Sequence, residues 1–362
     1  MSFSQSIKNA LWSFRKNRRA QFVVLVLLLL LVAAGAGYVL FGGGGAPIAT
    51  SKNTNTQATQ QRARRAIDGV VVGVKDANYF PTCVVIENLV AARPQSGLEQ
   101  ANLVYETLAE GGITRFLAVY GSGVNVEKIG PVRSARGVHL GIVQELGCLF
   151  AHAGGSPEAL QAISGSAIED FNQFYNSQYF WRDADRLKTK ALEHTLYTSS
   201  TLIARALRDK DAPLVGSYDP WLFRDDAPVA ERPTARKTIT IDFSSFNYKV
   251  GYTYDPQKNT YLRSLAEQPQ VTEEGRNITP KNIVIQYVPT KLADAAGRLQ
   301  IDTIGEGLGV LFQNGQNIPV TWKKSSATER TRFYDSQEQE VHFVAGQTWV
   351  EMVPDDRGVS YL

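Results

Sequence analysis

The chain has 362 residues, 43% of them hydrophobic, and a formal net charge of +3, the length of two domains and the composition of a globular protein with a real core. The charge is uneven: residues 1–65 hold nine Lys/Arg and no Asp or Glu, so residues 66–362 carry 3 − 9 = −6. A mildly acidic body argues against a nucleic-acid binder, whose basic footprint sits on its folded domain.

The chain opens with a basic segment, residues 1–21, containing Lys8, Arg15, Lys16, Arg18 and Arg19. It precedes Phe22–Phe41, FVVLVLLLLLVAAGAGYVLF. Twenty uncharged residues span about 30 Å as a helix, enough to cross a bilayer. The next twenty residues carry only Lys52. The positive-inside rule therefore predicts a single-pass protein of the cell membrane, with a cytoplasmic N-terminus and an extracytoplasmic body. A cleaved signal peptide is the rival reading, with Ala34-Gly35-Ala36 as its small-residue cleavage pattern. The apolar run continues through Phe41, which favours an uncleaved anchor. No cysteine lies near this segment to carry a lipid. Residues 42–68, beginning with four glycines and continuing rich in Ser, Thr, Asn and Gln, read as a flexible tether, with order starting near Gly69.

Residues 69–211 alternate strand-like and helix-like segments. Thr82–Glu87, Phe116–Tyr120 and Leu146–His152 are apolar runs of strand length; Gly137–Leu146, Pro157–Ile163 and Ser199–Asp211 have helical spacing. That alternation predicts an α/β or α+β domain. Cys83 and Cys148 each sit in an apolar run, either as two small buried hydrophobes or as a disulfide between neighbouring strands, and sequence alone leaves both open. Residues 212–234 hold Pro213, Pro220, Pro228 and Pro233 and read as a domain junction. Residues 235–362 predict a mostly antiparallel β domain. Its hairpins include Gly309–Phe312 with Ile318–Trp322, joined across Asn314-Gly315, a pair suited to a type I′ turn.

The candidate chemistry lies at the predicted element ends. In CLFAHAGGSPEAL, Cys148 to Leu160, every feature of Ser156-Pro157-Glu158 is explained by the start of a helix: a serine cap, proline in the first turn and a carboxylate beside it. The nucleophile-elbow pattern G-x-S-x-G is absent. Gly154 and Gly155 let the backbone approach a ligand, and His152 ends the preceding strand, as a hydrogen-bonded strand-end residue or as a proton carrier. Arg133 and Arg136 in KIGPVRSAR, Arg115 entering a strand, and Arg182 in YFWRD are guanidinium groups suited to phosphate or carboxylate. Glu87, Glu106 and Glu110 are carboxylates at strand ends; pairing with those arginines is the simpler reading, metal binding or base chemistry the alternative. The aromatic run Phe171–Trp181 reads as a packed loop, although exposed aromatics would stack on sugar faces. No CxxC or HExxH motif marks a metal site, and nothing in the residues names a cofactor.

The blocks ARPQSGLEQANLVYETLAEGGITRFLAVY, KIGPVRSAR, AHAGGSPEAL, YFWRD and HTLYTSS, with Gly346-Gln347-Thr348-Trp349 near the end, resemble the YerB-like family of bacterial membrane-anchored proteins over roughly residues 70–362. The resemblance implies two domains and a lipoprotein-type anchor, where this chain has an apolar helix-length segment; it implies no activity. KIGPVRSAR followed by AHAGGSPEALQAI is similar, more weakly, to the core of the LytR-CpsA-Psr phosphotransferases, which attach anionic polymers from polyprenyl-pyrophosphate carriers to cell wall. That likeness places Arg133 at their phosphate-binding arginine. Ser134 stands at their aspartate, and Thr114-Arg115 at their acidic turn.

The combined expectation is a membrane-tethered body binding an anionic envelope polymer or lipid carrier, without nucleic acid. Arg115, Arg133, Arg136 and Arg182 supply charge, Gly154, Gly155 and Ser156 supply backbone donors, and His152 and Glu106 orient the ligand or exchange protons. Phosphotransfer and a non-catalytic structural or partner-binding role are the alternatives. Convergence of the arginines favours binding; scattering into separate salt bridges favours a scaffold.

Overall fold

Six consecutive residues, Thr82–Glu87 (TCVVIE), are all buried, and so are Leu103–Leu108 and Thr114–Tyr120. Strands covered on both faces read as near-continuous apolar runs, and these form the middle of a large sheet. The protein is described by a computed structural model over residues 61–121, 123–212, 215–216, 218–295 and 297–362. The predicted basic segment 1–21 and anchor 22–41 lie outside the described residues, as does most of the tether. Among the described residues no helix is long and apolar enough to cross a membrane.

In chain order the first half contains β1 (Arg62–Arg64), β2 (Val71–Gly73), β3 (Thr82–Glu87), β4 (Leu103–Leu108), β5 (Thr114–Tyr120), α1 (Gly137–Leu146), β6 (Leu149–His152), α2 (Pro157–Ser164), β7 (Glu169–Asn172), β8 (Trp181–Arg182), β9 (Leu196–Tyr197) and α3 (Ser200–Asp209). The second half is almost entirely strand. It holds β10 (Leu222–Arg224), β11 (Thr238–Asp242), β12 (Lys249–Asp255), β13 (Thr260–Leu265), β14 (Gln268–Pro269), β15 (Asn282–Val288), β16 (Thr290–Leu292), β17 (Leu299–Ile301), β18 (Gly305–Gln313), β19 (Gln316–Lys324), β20 (Arg332–Tyr334), β21 (His342–Val344), β22 (Thr348–Pro354) and β23 (Val359–Tyr361). At the β18–β19 turn, Asn314 and Gly315 both have positive φ, 50° and 69°, the geometry that an Asn-Gly type I′ turn requires.

The two halves share one ten-stranded sheet, in the order β20-β19-β18-β15-β22-β4-β5-β3-β6-β7. The seam is the parallel pairing of β22 with β4, in register from Thr348 with Leu103 to Met352 with Thr107. On one face, α1 and α2 pack with Val85, Leu117 and Phe150; on the other, α3 packs with Phe116, Phe171 and Trp349. A five-stranded antiparallel sheet, β14-β13-β12-β11-β23, covers β15 and β18. Its strands alternate buried with half-buried positions, as one-sided strands do.

Order begins earlier than expected. β1 pairs with β2, and Ile67 and Asp68 are buried, with Asp68 accepting from Arg65 and Asn102. The expected tether 42–68 is therefore structured over residues 61–68: a basic, polar stretch that reads as linker is recruited by a buried carboxylate. Cys83 of β3 and Cys148, just before β6, form a disulfide with Cα atoms 5.9 Å apart. That settles the alternative left open by their apolar surroundings.

Candidate functional site

Three loops meet at the end of the large sheet where β3 and β6 stop and β5 begins. The first runs from Val132 to Arg136 into α1. The second runs from Ala153 to Ser156 into α2. They are zipped together: Ala153 N–H donates to Arg133 O (3.0 Å), Ala135 N–H to Gly154 O (2.9 Å), Ser156 N–H to Ala135 O (3.2 Å), and Ser134 Oγ to Ala153 O (2.9 Å). Ser134 is thereby a structural tie between the loops. Gly154 has φ +65°, where a larger residue would be strained, and the edge of the Phe174 ring lies against it. The third loop, Asn172–Tyr175, follows β7. Asn172 Oδ1 accepts from the N–H groups of Gly154 and Phe174, fixing this loop against the second.

Arg115, Arg133 and Arg136 come together around two carboxylates. Arg133 Nε lies 2.6 Å from Glu87 Oε2, close but with its N–H aimed elsewhere. Arg136 binds Glu110 through both Nε (2.7 Å) and Nη2. Arg115, almost fully buried, lies between the two, 3.9 Å from Glu87 and 3.6 Å from Glu110, and donates to Ser134 O at 3.1 Å. Burial pulls the Arg115 guanidinium down to about 10 against the pull of Glu87. Burial also works against the Glu110 carboxylate, but Arg136 and Arg115 outweigh it and hold it at about 2. Three guanidinium groups against two carboxylates leave one positive charge in the cluster.

The predicted residues divide between two cavities on either side of the zipped loops. Arg133, Gly154 and Gly155 line a cavity of about 430 Å³ together with Arg182, Glu193, Phe174 and Tyr175. Arg136 and Ser156 line another, of about 550 Å³, closed on its far side by Arg298 and β17. In the first cavity both arginines keep unused donors: the Nη groups of Arg133 bond no protein atom among the described residues, and Arg182 commits only Nη1, to Leu192 O and Thr195 Oγ1. Arg136 is fully engaged. Ser156 is the cap of α2, its Oγ accepting from Ala159 N–H at 3.3 Å.

His152 and Glu106 stand apart from this arrangement. The His152 ring is fully buried, with Nδ1 2.7 Å from Gly154 O and Nε2 2.8 Å from Asp170 Oδ1, so both nitrogens are occupied in shaping the glycine loop. Glu106 faces the opposite side of the sheet from Arg115. Its carboxylate binds Arg263 of β13, Thr114 and Asn88, all inside the protein. The expectation that Glu106 joins the arginines is thus corrected by strand alternation: its neighbour Thr107, paired with Arg115 across β4–β5, shares the arginine face.

Sequence reasoning missed His139, Asn172 and Glu193. His139 caps α1, its Nδ1 accepting from Arg136 N–H at 3.1 Å, and burial first, then Arg115 and Arg136, push its pKa far below the ordinary histidine range. Only the Arg-x-x-His spacing in the sequence hints at it. Glu193 sits near Arg133 and Arg182; its own backbone hydrogen bond, then His194 and these two charges, lower its pKa against the effect of burial. Among the described residues no group of three or more His, Cys, Asp or Glu is placed to hold a metal ion.

Comparison with known proteins matches residues 69–213 to the family described as "Protein of unknown function (DUF3048) N-terminal domain" and residues 239–350 to its C-terminal domain. The chain is 34% identical over 306 residues to YerB of Bacillus subtilis (strain 168), a candidate lipoprotein by its name, with 82% of this chain and 88% of that protein covered. The crystal structure of Bacillus subtilis YerB superposes with a TM-score of 0.72 at 31% identity, covering 82% of this chain and 99% of that one.

Proposed function

The chain belongs to the YerB-like (DUF3048) family, and on that premise we propose that it is a membrane-tethered, extracytoplasmic protein that binds an anionic cell-envelope ligand in the cavity between Arg133 and Arg182. One observation carries this reading: two arginines with unused guanidinium donors share an open cavity whose floor is the Gly154–Gly155 backbone. Guanidinium forks bind phosphate and carboxylate oxygens with charge-assisted hydrogen bonds. The buried Glu87 pre-positions Arg133 without using up its outer nitrogens. The Cys83–Cys148 disulfide supports an oxidising compartment outside the cytoplasm. The positive-inside asymmetry about residues 22–41 and the lipoprotein-type name of YerB support attachment to the membrane.

Phosphotransfer draws no support from the geometry, because His152 and Glu106 are both committed inside the protein. A pure scaffold fits poorly with arginines that converge. The test is binding of purified phosphate-rich wall polymer and of polyprenyl phosphate to the full chain in detergent. The Arg133→Ala/Arg182→Ala variant is expected to bind at least about tenfold more weakly, the cost of losing one or two charge-assisted hydrogen bonds. Unchanged affinity overturns the site.

A further inference from the structure

Beside the two arginines of the cavity stand two large aromatic side chains with no packing role. Phe174 is 69% exposed and Tyr175 81% exposed, on a loop otherwise anchored by the buried Asn172 and Asn176. Neighbouring aromatics of the same run, Phe171, Tyr179 and Phe180, are buried in the core, whereas these two rings are not. Both exposed rings line the arginine cavity, and Phe174 lies against Gly154 at its floor. Exposing two adjacent rings forgoes the stabilisation that their burial would bring.

The polar groups between rings and arginines are of mixed sign. Asn172 Nδ2 and the Gln173 side-chain amide bond no protein group among the described residues, and the Glu193 carboxylate is exposed beside them. Donors and acceptors interleaved in this way suit the hydroxyls of a sugar. A flat apolar face suits a pyranose ring, and the arginines suit an attached anion.

Resting on the anion-binding reading above, we infer that the ligand is an anionic saccharide, a sugar ring carrying a phosphate or carboxylate, with its ring over Phe174 and Tyr175 and its charge on Arg133 and Arg182. The rings then discriminate sugar phosphates from simple phosphates, and the arginines bind both.

Titration calorimetry on the full chain in detergent, with N-acetylglucosamine 1-phosphate, glycerol 1-phosphate and uridine monophosphate as probes, separates the possibilities. The sugar phosphate is expected to bind about tenfold more tightly than glycerol phosphate, the worth of one good stacking contact. Phe174→Ala/Tyr175→Ala is expected to erase that difference and leave glycerol phosphate unchanged. Because both side chains are exposed, the variant should fold as the parent does. Equal binding of the two phosphates by the parent chain, or tightest binding of the uridine nucleotide, overturns the saccharide and leaves the anion site standing. Absence of binding by any probe, or indifference of all of them to Arg133→Ala/Arg182→Ala, overturns the anion site itself. A polyprenyl-linked sugar phosphate that binds more tightly than the free one supports a lipid-linked saccharide; equal binding supports a saccharide of the wall polymer.

Discussion

Glu110 shows how the arginine cluster is balanced. Its carboxylate is one-third exposed, so solvent screens it, yet Arg136 grips both oxygens and Arg115 lies 3.6 Å away. Burial opposes ionisation, and the two guanidinium groups overcome it, taking the carboxyl from 4.5 to about 2. A carboxyl depressed on folding contributes stability above its unfolded pKa, and that contribution is lost as pH falls through the folded value. The unfolded chain binds the proton first on acidification, so stability falls between about pH 5 and pH 2. Glu110→Gln should lower the neutral plateau and flatten this acid limb, so that variant and parent converge near pH 2, as read from urea midpoints across the range. A limb of undiminished slope would show that the pairing has no thermodynamic weight. The same cluster explains why only Arg133 and Arg182 remain available: Arg115 and Arg136 are held by Glu87, Glu110 and the loop carbonyls, and Arg133 by one edge alone.

At the level of elements, the disulfide is the strongest local tie. Cys83 and Cys148 are 65 residues apart and join the middle of the large sheet to the loop between α1 and β6. Closing a loop of that size restricts the unfolded chain and stabilises the fold by about 2–4 kcal/mol. Cys83→Ala/Cys148→Ala is expected to lower the urea midpoint accordingly, with β3 and β6 still paired, since their hydrogen bonds do not depend on sulfur. A midpoint equal to that of the oxidised parent would refute the estimate. Most elements here were legible. Gly137–Leu146 is helical to the residue, Ser156 and Ser199 cap α2 and α3, and Thr82–Glu87 is a strand as read. β4 was not legible, because Glu106 interrupts its apolar run, and a charge in a strand buried on both faces contradicts the pattern used to find strands. Missing β4 also hid the alternation that turns Glu106 away from Arg115. The exposed rings of Phe174 and Tyr175 were hidden for a similar reason: composition gives an aromatic run, and only tertiary packing says which rings have no partner.

Across the whole molecule, two sequence domains are joined by a buried charge cluster that neither half explains alone. On β22 and β4, Glu351 and Glu106 are register partners, both fully buried. Between them comes Arg263 from the smaller sheet, bonded to Glu106, to Glu351 at 2.9 Å and to Tyr252 at 2.7 Å, its guanidinium 4.3 Å from the Trp349 ring centre. Two carboxylates facing one guanidinium in an interior of low polarity leave a surplus negative charge, and the cheapest remedy is a proton. Burial, then the neighbouring Glu106, push the Glu351 carboxyl up to about 8. The sign is opposite to that of Glu110. The folded state holds a proton that the unfolded chain releases above about 4.5, so the stabilisation is complete below that pH and is lost as pH rises through about 8. Glu351→Gln substitutes a neutral side chain of the same shape that still accepts from Arg263 and Tyr252. Its thermal midpoint should therefore fall less than the parent's between pH 5 and pH 9, so that the two curves converge or cross near the alkaline end. Parallel curves would mean that Glu351 is ionised in the fold and that the seam between the halves carries its surplus charge unprotonated.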